Sequence, residues 1–328
     1  MAVHGGHLVA ASDDRRLDNT CARRVAQFAR GQPPTHRRRT ATPPTGLRER
    51  PLVGSATYGR GMATAPDKTP QQYLDAIQAT YPDLDRWRER AREHEAPQRA
   101  SELAIDDKVF PQFRVSEVAR LSLMSAGEHL RLVRDGLTAR NVYPSASHTT
   151  LRGALVGAAQ AVWVLAPDDA ETRQQRALTV VHVTYKQLRT YDNDVNKMQW
   201  LSRDDRAELE DHLKWLNERI GQVESLRRSK SDLDITGGVL PEALRAAFND
   251  QRMTDSGLMM WRQMSGDAHV LSWSLAQRTT FSGRPDAEGL SLGEAAGDLG
   301  EVADAFYLGY RLLKVGWGLF DRRCETTT

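Results

Sequence analysis

The sequence predicts an all-α protein: a helical bundle of about seven or eight helices with a long antiparallel helical hairpin and a disordered N-terminal tail. From about residue 70 onward, apolar residues recur at intervals of three and four, as they do on one face of a helix. No alternating apolar and polar run of useful length indicates a strand. Residues 1–68 are rich in Arg, Pro, Gly, Thr and Ser, and their apolar residues are too sparse to build a core. These observations divide the chain into a tail, 1–68, and a single helical domain, 69–324.

The charge of the chain is concentrated in the tail. The whole chain of 328 residues has a formal net charge of +2. Residues 1–70 contain twelve Lys or Arg and five Asp or Glu, a net charge of +7, which leaves −5 for the remainder. Basic tails of this kind are usually solvated, but they can also contact phosphates. RNA contact through the tail is therefore a candidate interaction.

Cysteine usage and hydropathy indicate the compartment. Cys21 and Cys324 are the only cysteines, and two isolated thiols predict neither a disulfide framework nor a zinc site. The N-terminus lacks the basic start and apolar core of a secretory signal. The longest apolar stretch, residues 153–166, is shorter than the roughly 18 residues that a membrane span needs. We expect a cytoplasmic protein with no membrane segment.

The first half of the domain contains four predicted helices. Residues 69–80 and 82–96 form short helices that begin at Pro or Asp. Residues 115–137 repeat apolar side chains at helical spacing. The fourth helix, 149–165, is capped by Thr149 or Thr150 and has almost no polar face, so we expect it to be the buried central helix.

The second half begins with the predicted hairpin, residues 167–197 followed by residues 202–228. The second of these carries a seam of apolar residues at alternating spacings of four and three. Residues 236–248 are a loop and a short helix. The last two helices cover residues 256–278 and 301–320, and a Gly-rich loop around residues 282–300 separates them.

The stretch "WRQMSGDAH", residues 261–269, concentrates polar chemistry on one predicted helix. Residues three or four apart share a helical face. The predicted core stripe is Leu258, Trp261, Met264, Ala268, Leu271 and Leu275. The adjacent polar seam is Arg262, Ser265, Gly266, His269 and Trp273. Asp267 is predicted to point away from Ser265, which excludes a Ser–His–Asp triad within this segment.

Arg262 and His269 also match the Arg-x(4–6)-His motif of HEPN ribonucleases. A His can move the proton of an attacking 2′-hydroxyl while an Arg stabilises the phosphate. The spacing alone carries little information, because four other pairs fit it in this Arg-rich chain: Arg30/His36, Arg88/His94, Arg176/His182 and Arg206/His212. The alternative interpretation is a buried polar seam in which Ser265 and His269 bond to neighbouring helices.

Metal and nucleotide sites find little support. Di-iron bundles need Glu three residues before a helical His, and no helical His here has one. A mononuclear site from His129, His182 and His269 has no spacing in its favour. No Gly-rich phosphate loop follows a strand. We assign no metal and no cofactor.

Three segments carry a resemblance. "EHL" (128–130), "TLRGALVGAAQAVWVLAP" (150–167) and "WRQMSGDAHVLSW" (261–273) resemble a set of uncharacterised actinobacterial all-helical proteins with "tLlRaalEaAa…aWLLdP" and "YxxLSxxaHG" motifs. The resemblance spans residues 115–320, and those proteins are distantly similar to HEPN bundles. It implies site positions at His129, Arg152, Ser265 and His269. The chain departs from the pattern at Val156, where the family has Glu, and at Val270, where it has Gly.

Two classes of function follow. The first is a non-catalytic helical interaction or scaffold protein, which forms a homodimer or binds a partner protein. The second is a HEPN-like, metal-independent ribonuclease in which Arg262 or Arg152 holds the phosphate and His269 transfers the proton. In both, Arg152, Ser265 and His269 are expected to lie together, facing His129. An enclosed His269 would favour the scaffold, and an open cleft at His269 on a dimer face would favour the nuclease.

Overall fold

Helix dominates the computed structural model, which describes residues 68–282, 292–295 and 298–326. The prediction for the tail concerns residues that, up to 67, lie outside this range. The described α-helices are α1 (Pro70–Gln78), α2 (Tyr81–Arg92), α3 (Glu102–Asp106), α4 (Val115–Thr138), α5 (Ala146–Leu165), α6 (Ala170–Asn196), α7 (Arg203–Leu226), α8 (Leu240–Phe248), α9 (Gln251–Ala268), α10 (Ser272–Ala276) and α11 (Leu299–Cys324).

The prediction of an all-α bundle is confirmed, with more helices than expected. The additional helices include two of five residues each, α3 and α10. The prediction of a single helix over residues 256–278 was wrong, because α9 ends at Ala268 and α10 begins at Ser272. Next to the predicted Gly-rich loop, Thr279–Ser282 (β1) pairs antiparallel with Leu292–Ala295 (β2) inside it, with Thr279 opposite Ala295. Four-residue strands are too short to leave an alternating pattern in the sequence.

Helix α5 is the buried central helix, as its composition predicts. It packs against α4, α6, α8, α9 and α11. Its first residue is Ala146, after the N-cap residue Ser145, so the predicted caps Thr149 and Thr150 lie inside the helix. Among the described residues, no helix combines the length and hydropathy that crossing a membrane requires.

Helices α6 and α7 form the predicted antiparallel hairpin. Its pairing is visible in side-chain contacts along its length, because Gln175 Nε2 donates to the carbonyl of Leu226 at 3.0 Å, while His212 Nδ1 lies 2.9 Å from a carboxylate oxygen of Asp192. The apolar seam of α7 is buried where α6 covers it, at Leu209, Leu216, Ile220 and Val223. Four apolar residues of the predicted seam are therefore buried in the contact between α6 and α7.

A buried network of charges fixes the ends of α3, α6 and α11. Arg173 donates from Nε to Asp106 at 2.6 Å, and both side chains are almost fully enclosed. Glu102 accepts from Arg323 at 2.5 Å and lies 3.1 Å from Arg173. Arg173 and Arg323 also donate to the carbonyl of Pro167 just after α5. Such pairs are tolerated in a core only when most of their hydrogen-bonding groups are used.

Helix α5 approaches its neighbours at glycines. A Cβ added to Gly157 would lie 2.6 Å from the carbonyl oxygen of Ser122 on α4. A Cβ added to Gly316 of α11 would lie 2.7 Å from the Leu123 side chain of α4 and 3.6 Å from Val162 of α5. The Gly157 contact is with backbone, so it can be relieved only by separating α4 from α5. The spacing of α4 and α5 therefore depends on Gly157.

We predict that Gly157→Ala lowers the free energy of unfolding by about 2–3 kcal/mol, since an overpacked core position cannot relax without moving a helix. The matched control is Gly221→Ala, which lies inside α7 with nothing within 4 Å of the new Cβ. There the helix propensity of Ala should stabilise the protein by about 0.5–1 kcal/mol. Urea denaturation measures both. A Gly157→Ala variant as stable as Gly221→Ala would contradict the packing argument.

Candidate functional site

Helix α9 carries most of the predicted site residues, but its buried face is rotated relative to the prediction. The buried positions are Thr254, Gly257, Trp261, Met264, Gly266 and Asp267. Trp261 and Met264 belong to the predicted stripe, whereas Leu258 is only partly buried and Leu271 is exposed. This rotation buries Asp267 and exposes Arg262 and His269.

Arg152 and Ser265 lie together, as the seam hypothesis expects. Arg152 Nε donates to Ser265 Oγ at 3.3 Å. Its guanidinium also lies 4.5 Å from the centre of the Trp261 ring, a cation–π geometry. Both groups are therefore engaged in joining α5 to α9.

His269 does not complete this seam as a buried residue. It is the first residue after α9, and its N–H donates to the carbonyl of Ser265 at 3.1 Å. Its side chain is exposed. The enclosure of His269 that would favour the scaffold is therefore not found, and its exposure is the outcome that leaves the nuclease open.

His129 contacts α5 beside Arg152. His129 Nδ1 donates to the carbonyl of Ser125, one turn earlier on α4, at 2.8 Å. The opposite edge of the ring packs against Gly153, where a Cβ would collide with it. The ring is thus part of the contact between α4 and α5.

The turn after α9 has an unusual residue at its centre. Leu271 N–H donates to the carbonyl of Gly266 at 2.8 Å, and Val270 N–H donates to that of Asp267 at 3.0 Å. This pattern is a Schellman motif, whose left-handed position is usually Gly. Val270 occupies it with φ 55°. A β-branched residue is strained there, and Val270 stands where the resembling proteins have Gly.

A run of exposed side chains follows α9 and this turn. We call it the exposed strip: Met259, Arg262, Ser265, His269, Val270, Leu271 and Trp273. Ser265 is only partly exposed, while the exposed fractions of Met259 and Val270 are 64% and 89%. Large apolar side chains grouped on a surface indicate an interaction site more often than isolated ones do.

A buried polar cluster supports the turn from inside. We call it the Asp267 cluster: Ser145, His148, Asp267, Ser274, Arg278 and Glu301. Asp267 Oδ1 accepts from Arg278 at 2.5 Å and from Ser145 and Ser274 at 3.1 Å each. Glu301 lies 3.8 Å from Arg278 Nε. Sequence analysis missed this cluster, because it placed Asp267 on the outer face.

His148 is the enclosed histidine of this region. It is 2% exposed, and Nδ1 donates to the carbonyl of Pro144 at 3.2 Å. Burial lowers its pKa, and the neighbouring charge of Arg278 lowers it further against the weaker opposing effect of Asp267. In the described part of the chain no hydrogen bond joins His148 to a serine. The cluster therefore lacks the proton path of a catalytic triad.

Other reactive groups are enclosed or already bonded. Burial raises the pKa of the Cys324 thiol to about 12, so this residue is not a nucleophile at neutral pH. His182 lies between Glu224 at 3.0 Å and Arg227 at 2.6 Å. Within the described ranges, no three His, Cys, Asp or Glu side chains converge as metal ligands would.

Comparisons with known proteins add no family. Neither protein-family models, nor curated proteins, nor solved structures give a match to this chain.

We predict that Asp267→Asn lowers the free energy of unfolding by about 3–5 kcal/mol, because it leaves the buried Arg278 without its close counter-charge. The double variant Asp267→Asn/Arg278→Met should recover part of this loss, since both charges are then absent. Urea denaturation of the two single variants and the double variant measures the coupling. A loss below about 1 kcal/mol for Asp267→Asn would contradict a supporting role.

His148 gives a pH prediction. Its pKa is lower in the folded than in the unfolded protein, so the unfolded state binds the extra proton first. Stability should fall as the pH drops below about 6.5, the unfolded value, and level off below the folded pKa. His148→Gln should remove this part of the loss while keeping a donor to Pro144. The free energy of unfolding of both proteins is measured by urea denaturation between pH 7 and pH 5. An equal dependence on pH in the wild type and in His148→Gln would contradict the prediction.

Proposed function

We propose that the chain is a non-catalytic helical interaction protein that pairs with a second copy of itself through the exposed strip. The observation that carries this proposal is Val270, which is 89% exposed and held at φ 55°. A valine there costs stability, and no buried contact offsets that cost. Retained strain of this kind is a reason to infer a function for the residue.

The order of side chains along the strip favours a second copy as the occupant. Met259 and Leu271 lie six residues to either side of Ser265, and Arg262 and His269 lie three and four residues to either side. Two strips in antiparallel orientation would bring the apolar end at Val270 and Leu271 of one copy towards Met259 of the other. Arg262 then lies near His269 of the partner copy, whose ring can accept a hydrogen bond.

The ribonuclease alternative has less support. Its active site needs an arginine and His269 within reach of one phosphate. Arg152 is held against α9, with Nε bonded to Ser265 and the guanidinium over the Trp261 ring. Among the described residues, no hydrogen bond links the His269 side chain to any arginine. The exposure of Arg262 and His269 is what remains in its favour, and the interaction proposal accounts for it as well.

The proposal predicts opposite effects of Val270→Gly on stability and on association. Glycine relieves the left-handed strain, so the monomer should gain about 1 kcal/mol in free energy of unfolding. Loss of the exposed side chain should raise the dimer dissociation constant by about tenfold. Urea denaturation at low protein concentration and sedimentation equilibrium measure the two effects.

Leu271→Glu and Ile105→Glu form a matched pair for the same assay. The two side chains are 49% and 48% exposed, but Ile105 lies on α3, outside the strip. Only Leu271→Glu should abolish dimerisation. A wild-type protein that stays monomeric, or equal effects of both variants, would exclude the second copy as the occupant. RNA cleavage that is lost in a folded His269→Ala variant would establish the nuclease instead.

A further inference from the structure

An open pocket of about 330 Å³ lies between α2 and α4. Arginines dominate its lining, with Arg88 from α2 and Arg131 and Arg134 from α4. Glu128 and Asp135 add two carboxylates, and His129, one of the predicted site residues, adds an imidazole. Its volume is at the lower end of the range for small-molecule sites. None of these residues belongs to the exposed strip or to the Asp267 cluster.

The three arginines differ in how they are held. Arg134 donates to Asp85 at 2.5 Å and to Asp135 at 3.0 Å, and its guanidinium lies 5.5 Å from the centre of the Tyr81 ring. Arg88 and Arg131 make no hydrogen bond or ion pair within the part of the chain that the structure describes, although Glu128 and Asp135 lie close enough to act on the charge of Arg131. Arg134 is therefore held in place by its own partners. The guanidinium groups of Arg88 and Arg131 remain available to bind a ligand.

Arg88 and Arg131 are also close enough to repel each other. Burial lowers the pKa of Arg131, and the charge of Arg88 lowers it further, more than the nearby Glu128 raises it. Arg131 is partly buried and its Nη1 lies over Gly127, 3.6 Å from where a Cβ would be. Carboxylates lie nearby, but among the described residues neither guanidinium forms an ion pair with one, so both keep hydrogen-bond donors that an anion can use.

We propose that this pocket binds a small phosphorylated molecule that also carries hydroxyl groups. Two arginine forks can hold a phosphate monoester through charge-assisted hydrogen bonds. The carboxylates of Glu128 and Asp135 accept hydrogen bonds from hydroxyls. Leu132, an exposed residue of the lining, offers an apolar contact to a sugar ring.

A long RNA strand fits the pocket less well. The carboxylates of Glu128, Asp135 and Asp85 lie around the three arginines, so the local charge is close to neutral. A polyanion needs a continuing basic surface for successive phosphates. A single dianionic group needs only Arg88 and Arg131.

Isothermal titration of the full chain with ribose 5-phosphate, inorganic phosphate and ribose tests the proposal. Ribose 5-phosphate should bind more tightly than inorganic phosphate, and ribose should not bind. Arg131→Gln and Arg88→Gln should each weaken ribose 5-phosphate binding by about tenfold or more. Arg92→Gln, an exposed residue of the same helix as Arg88 that pairs with Glu89, is the control and should change binding less than about twofold.

Circular dichroism checks that each variant is folded. If Arg131→Gln does not fold, Arg88→Gln decides the test, because Arg88 is exposed and its replacement should not disturb the fold. Failure of both phosphate compounds to bind saturably at millimolar concentration would overturn the proposal. So would an equal loss in Arg92→Gln. A single-stranded oligoribonucleotide is titrated in the same way. If it binds more tightly than ribose 5-phosphate and Arg131→Gln weakens that binding, the ligand is RNA and the small-molecule proposal is overturned.

Discussion

The close approach of α5 to α4 and α11 is the constraint on which the rest of the structure depends. A helix with almost no polar face must be covered on nearly all sides, and five helices cover this one. Small residues such as Gly157 allow the backbones to meet. The few polar side chains of α5 must then find partners on its neighbours. Gln160 donates to Ser122 on α4 at 2.7 Å, and Arg152 reaches Ser265 on α9.

The same logic explains the Asp267 cluster. The N-terminal end of α5 lies beside the end of α9, so Ser145 and His148 meet Asp267 in a region with little access to water. A buried carboxylate requires a cation, and Arg278 supplies it from just beyond α10. The ion pair of Asp267 with Arg278 joins the two ends of the segment 267–278, which contains Val270. The turn is consequently held from inside, which is what a strained residue needs in order to persist.

The sequence allowed the fold to be predicted further than the site. Long apolar periodicities identified the α6–α7 hairpin and the buried α5, because burial of a whole face leaves a strong pattern. The orientation of α9 was mispredicted, since a rotation by about one residue leaves Trp261 and Met264 buried in either case. That small rotation exchanges Asp267 for His269 in the interior. His148 carried no signal of its own, because its burial depends on contacts between α5 and distant segments of the chain rather than on local spacing.

Val270, just after α9, is unfavourable for stability both in its backbone conformation and in its exposure to water. Glycine would satisfy the left-handed position without strain, and a polar residue would suit a side chain that is mostly in water. Valine does neither, yet the Asp267–Arg278 pair holds the turn that presents it. An apolar side chain fixed in place loses little conformational entropy when a partner covers it. The turn thus presents Val270 in a fixed position, which is why we propose the exposed strip, rather than the contact of Arg152 with Trp261, as the functional surface.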